Sequence, residues 1–159
     1  MSLTETLGAT PLSIYLREAP YPFPVLIIAH ILTIACFGGI VIIGNLRVLG
    51  WALRDVPVSQ VIGPFRGWKA VALAVMLATG TLLAASDPVE YSGNPMFWVS
   101  NALLVAVGVN ALVFCRGAYR ELAAWDRSPV GPPAARRWAR ISLALWITLV
   151  FAGRAIAFF

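Results

Sequence analysis

Residues 24–47 read PVLIIAHILTIACFGGIVIIGNLR, with no charged side chain before Arg47. At about 1.5 Å per residue, this run is long enough as a helix to cross a hydrocarbon layer of roughly 30 Å. Inside such a layer the backbone must satisfy its own hydrogen bonds, and a single apolar run does so by coiling into a helix. Three further runs of similar character follow at 68–86 (WKAVALAVMLATGTLLAAS), 96–115 (MFWVSNALLVAVGVNALVFC) and 141–159 (ISLALWITLVFAGRAIAFF). Pro20, Pro22 and Pro24 separate the first run from the lead-in TETLGATPLSIYLRE (4–18), where a helical turn or two is expected after Pro11. Asp87-Pro88 closes the second run and Asn94-Pro95 opens the third. The expected fold is therefore an all-α, antiparallel four-helix membrane bundle, formed as one domain over residues 1–159.

Composition agrees. Hydrophobic residues make up 60% of the chain and charged residues 12%, too few to cover a soluble fold of this size. The segment before Tyr21 carries Glu5, Arg17 and Glu18, with no basic stretch ahead of the apolar run. The first run is thus expected to be a retained span rather than a signal core. The net charge of +5 does not point to nucleic acid, because the basic residues sit in short loops between the runs.

Those loops set the expected orientation. Arg47, Arg54, Arg66 and Lys69 surround the first connection, and Arg116, Arg120, Arg127, Arg136, Arg137 and Arg140 the third. The second connection holds only Asp87 and Glu90. The positive-inside rule places both basic loops in the cytoplasm and both termini on the non-cytoplasmic side, in a bacterial inner membrane crossed several times. Trp51, Trp68, Trp125 and Trp138 then belong to the cytoplasmic interface, and Trp98, Tyr91 and Tyr21 to the outer one. Ala35/Gly39, Ala74/Ala78 and Gly80/Ala84 are small pairs at helical spacing, expected where helix backbones approach closely.

A polar side chain within lipid is costly and needs a reason. Counted from the outer helix ends, His30, Thr79 and Thr81, Asn101 and Arg154 fall at one depth on four different runs. A neutral imidazole near a guanidinium suits a b-type haem, with His30 on the iron and Arg154 on a propionate. The same groups suit a quinone head group, and His30 alone could bind a metal ion. The plainer reading has Arg154 snorkelling to the interface, with His30 and Asn101 as interhelical hydrogen bonds. The chain has one histidine, so haem would be five-coordinate or clamped between two copies of His30 in a homodimer. Asn45 and Asn110, with Arg47 and Cys115, form an inner polar set read as structural, the two asparagines bridging the first and third helices. Cys36 and Cys115 lie at different depths, so no disulfide is expected between them.

The sequence holds no paired carboxylates within the runs, no HExxH, no CxxC and no phosphate loop. A catalyst acting alone is not expected, and neither is ion-coupled transport, since no acidic residue falls at mid-membrane.

Several stretches resemble a bacterial family of small four-helix membrane proteins, the domain of unknown function 6644 family. They are TPLSIYLRE (10–18), AHILTIACFGG (29–39), GNLRVLG (44–50), DVPVSQ (55–60), YSGNPMFW (91–98), NALVFCRGAYRELAAWD (110–126) and FAGRAIAF (151–158). The resemblance implies four spans, puts His30 and Arg154 within family-like motifs, and implies no activity. Two positions depart from the family pattern: Cys115 stands where a histidine is common, and Ile27 where an acidic residue is. His30 followed by Gly38-Gly39 is also similar, over a shorter stretch, to the copper-resistance membrane family.

The functional expectation is a non-catalytic membrane subunit of a redox or metal-handling system. It would bind haem b or a quinone at an outer-leaflet site made by His30, Asn101 and Arg154, and work with a partner protein or a second copy. The alternatives are a structural or assembly subunit without cofactor and, further off, a small-ligand or copper permease.

Overall fold

The computed structural model describes residues 2–159, and these form helices joined by short turns. Four helices are long and apolar enough to cross a membrane, as expected of a membrane protein. They are preceded by α1 (Leu3–Gly8) and α2 (Pro11–Glu18). The first long helix is α3 (Pro22–Leu49). It starts at Pro22 because the first turn of a helix needs no amide donors, so both Pro22 and Pro24 fit there. Gly50 ends it in the left-handed conformation, φ 70°, returning its amide to the carbonyls of Leu46 and Arg47.

After the short α4 (Val58–Ile62) comes α5 (Arg66–Ser86), and Asp87 then accepts the amide of Glu90 to cap α6 (Pro88–Gly93). Asn94 accepts the amide of Met96 at 2.9 Å to open α7 (Pro95–Arg116). A 3₁₀ turn (Ala118–Glu121) and α8 (Leu122–Trp125) lead to α9 (Pro133–Ala155). This last helix begins at Pro133 rather than Ile141, since AARRWAR is composed of good helix formers. Its charge sets where the apolar part begins and leaves the helix itself uninterrupted.

The lead-in is more structured than expected. Ser2 and Glu5 close a capping box on α1. On α2, Leu16 is buried and Ser13 Oγ donates to the Ser86 carbonyl at 3.1 Å, docking α2 on the end of α5.

α3 and α9 form the central pair, with α5 packed on α3 and α7 on α9. At mid-length the core takes Phe37 from α3, Ala72 and Met76 from α5, Val107 from α7 and Trp146 from α9. Phe37 and Trp146 meet with ring centroids 5.3 Å apart. A second core closes the end that holds the basic loops, from Val48, Leu49, Val58, Trp125, Ala135 and Ala139. Trp125 is therefore an interior residue, its indole donating to the Ala118 carbonyl at 3.1 Å, and not part of an interfacial belt.

Outside this interior, Val25, Ile28, Ile31, Leu32, Val105, Val109, Ile147 and Phe151 are exposed, an apolar mantle suited to lipid. Ala35 and Gly39 face outward as well, and so do Ala74 and Ala78. Gly80 makes a close approach, as its spacing with Ala84 suggested, while that on α3 falls at Gly38, one residue from Gly39.

Candidate functional site

His30 lies on the face of α3 that packs against α5, where its imidazole is half-buried. Nδ1 is 2.9 Å from Thr79 Oγ1. The Thr79 hydroxyl has one proton and sits 2.8 Å from the Val75 carbonyl and 3.2 Å from that of Met76, so it donates into its own helix. Toward His30 it can only accept. With the Thr79 proton on the Val75 carbonyl, the imidazole carries its own proton on Nδ1 and a lone pair on Nε2, and Nε2 has no hydrogen-bond partner among the described residues. Gly80 completes the seat. A Cβ there would lie 3.1 Å from Cε1 of the ring, which is tighter than ordinary packing. A small residue on α5 thus lets the imidazole rest against that helix, and Thr79 fixes its rotation.

Asn101 and Arg154 are held elsewhere. Asn101 is exposed on α7 and donates to the Phe97 carbonyl of its own helix at 2.8 Å. Arg154 is exposed near the end of α9, with its guanidinium 4.8 Å from the Phe158 ring centre. No hydrogen bond joins either to His30. Thr81 is also turned outward, bonded to the Leu77 carbonyl. Equal depth on four helices brings together only His30 and Thr79, because helix rotation decides the rest. Among the described residues no three of His, Cys, Asp and Glu lie close enough to hold a metal ion, so His30 would need ligands from outside the chain.

The inner polar set is arranged differently from expectation. Asn45 donates to Ser142 Oγ at 2.9 Å and Asn110 to the Trp138 carbonyl at 3.4 Å. Both reach α9, and neither links the first and third long helices. Cys36 and Cys115 are exposed free thiols.

The residue that sequence reasoning undervalued is Arg47, which is wholly buried. Its Nε donates to the Val56 carbonyl at 2.6 Å, and Nη2 to the carbonyls of Ser128 at 2.9 Å and Asp126 at 3.5 Å, while Nη1 has no partner. The available signal was Val48-Leu49: apolar residues after the arginine place it within the packed helix rather than at a solvated end. Beside it, Asp126 accepts the Ser59 amide and hydroxyl, both at 2.7 Å. These bonds, with the nearby Arg47 charge, hold its carboxyl below the usual carboxylate range despite a small opposing effect of burial.

The sequence pattern of a family of unknown function, DUF6644, matches residues 25–159. The chain belongs to DUF6644. That match takes in His30, Arg47, Thr79, Gly80 and Asp126 of the DUF6644 chain, and leaves out α1, α2 and the prolines that open α3. No curated protein and no solved structure matches the DUF6644 chain, and the fainter likeness to the copper-resistance family gains nothing from these comparisons.

Proposed function

We propose that this chain is a non-catalytic membrane subunit of a redox or metal-handling system, and that His30 Nε2 is the atom it offers to a cofactor. The observation that carries the reading is the His30–Thr79 hydrogen bond, taken in the tautomer in which Thr79 donates to the Val75 carbonyl and accepts from Nδ1–H. Histidines that bind iron commonly have the other ring nitrogen held as a donor, which fixes the tautomer and aims the lone pair. The same lone pair can accept a hydrogen bond from a quinol hydroxyl.

The basic loops support an orientation with both termini outside the cytoplasm of a bacterial inner membrane, and in that orientation His30 would lie toward the outer leaflet. With one histidine per chain, six-coordinate haem b requires a second ligand from a second copy or a partner protein. Quinone binding has no such requirement.

The test is an optical spectrum of protein purified in mild detergent from cells with ample haem, oxidised and then reduced with dithionite. Haem b gives a Soret band and α and β bands that sharpen on reduction, all lost in His30→Ala while the helical circular dichroism is retained. A featureless spectrum removes haem, and quinone extraction from the same preparation then decides the remaining cofactor. Absence of both leaves the structural reading, which the same hydrogen bond also supports because it ties α3 to α5.

A further inference from the structure

We propose that the arginine face at the start of α9 binds the phosphate of an anionic phospholipid, with an acyl chain lying along the same helix. Arg136, Arg137 and Arg140 stand on the first turns of α9, and with Pro133 and Ile141 they line a shallow hollow of about 380 Å³. The hollow thus joins three guanidinium groups to the first residue of the apolar stretch. Arginine suits this ligand because its planar fork bonds two phosphate oxygens at once and keeps its charge at any physiological pH.

The charge there is not neutralised from within. Between positions 116 and 140 the chain has six arginines against Glu121 and Asp126, and both carboxylate oxygens of Asp126 are taken by Ser59. Arg136 Nε is buried with no hydrogen-bond partner among the described residues. Arg137 lies 5.7 Å from the centre of the Trp138 ring, a contact that leaves its charge unpaired. Arg116 and Arg120, exposed on α7 and the turn after it, add to the potential at this end, since both elements pack on α9.

The feature that selects a lipid over a free phosphate is the surface below. Arg140, Ala144, Ile147 and Phe151 are all exposed and follow one another by four, three and four residues. That spacing makes a single strip down α9, cationic at its head and apolar along its length, which is the pattern of a phospholipid. The assignment involves none of the residues around His30 and stands apart from any cofactor there.

The experiment is thermal unfolding in a neutral detergent with added dioctanoyl-phosphatidylglycerol, dioctanoyl-phosphatidylcholine or glycerol 3-phosphate. A ligand that binds the folded state raises the midpoint with concentration. The expected result is a saturable rise with phosphatidylglycerol that the other two do not produce. Arg137→Gln/Arg140→Gln, which alters two exposed side chains, should weaken it by roughly 25-fold, about fivefold per charge removed. The corresponding double lysine variant should recover most of the loss. An equal rise with phosphatidylcholine, or an unaltered response in the double glutamine variant, overturns the proposal. An equal rise with glycerol 3-phosphate overturns the lipid assignment in favour of a soluble phosphate. Should the double variant not fold, Arg140→Gln alone carries the same comparison.

Discussion

Trp146 of α9 lies against α3 at Gly38, so closely that a Cβ on that glycine would come within 2.4 Å of the indole nitrogen. The contact joins the central pair of helices in the middle of the core. Gly38→Ala should therefore destabilise the protein by about 1–3 kcal/mol, the usual cost of overpacking a filled interior. Gly39→Ala is the internal control: nothing lies within 4 Å of its Cβ, and alanine is the better helix former. Thermal unfolding of both variants in detergent should lower the midpoint for position 38 and leave it level or slightly raised for position 39. Equal effects would remove the indole contact as the cause.

The seat of His30 makes a prediction separate from its chemistry. Gly80→Leu fills the place where the imidazole ring rests on α5, and Thr79→Val removes the oxygen bonded to Nδ1 while keeping the side-chain volume. If Nε2 binds a cofactor, Gly80→Leu should abolish binding as His30→Ala does. Thr79→Val should retain the cofactor at lower affinity, on the order of 10-fold. Cofactor content per protein, measured after purification, checks both.

Arg47→Ala leaves the carbonyls of Val56 and Ser128 without their buried donor, at about 1–3 kcal/mol for each group stranded. The expected outcome is a loss of stability of about 2–6 kcal/mol, with faster trypsin cleavage at Arg54 and Arg127 in the two loops that Arg47 joins. Arg47→Lys should recover part of it, since one ammonium cannot reach both loops as the guanidinium fork does. Cleavage rates unchanged in Arg47→Ala would show that the loops hold together without it.

Asp126 gives a pH dependence. Its carboxyl is held below its ordinary range in the folded chain, so its stabilising effect is complete above the unfolded value. The effect fades as acid takes the pH down through the depressed one. Asp126→Asn should unfold at a lower temperature than the wild type at neutral pH, and the gap should close on acidification below the ordinary carboxylate range. A gap that stays constant with pH would mean that the carboxylate charge contributes nothing.

How much of this was legible beforehand depends on which physical signal was used. Hydropathy located all four long helices, since a run such as 24–47 has few other options. It misplaced the start of α9 at Ile141, because arginine lowers hydropathy without lowering helix propensity. It also placed Trp125 in an interfacial belt, where sequence spacing counts any tryptophan near a basic loop and only packing shows one to be interior. The candidate site was legible in depth and not in rotation. His30 and Thr79 lie at the same level and meet; Asn101 and Arg154 lie there too and turn away. Small residues told the same story, with Gly39 matching the spacing and Gly38 making the contact.

The buried bonds of Arg47 also bear on the order in which the chain is built. Ser128, which receives Nη2, lies 81 residues downstream. At roughly 5–20 residues per second of synthesis, the first long helix is complete for roughly 4–16 seconds before that carbonyl exists. During this interval the guanidinium has only the nearby Val56 carbonyl to hold it, and its other donors need water, which in a membrane-inserted chain would keep the end of α3 at the water boundary. In such a chain the arginine that later joins the two basic loops would serve first as a stop on how far the nascent helix can slide.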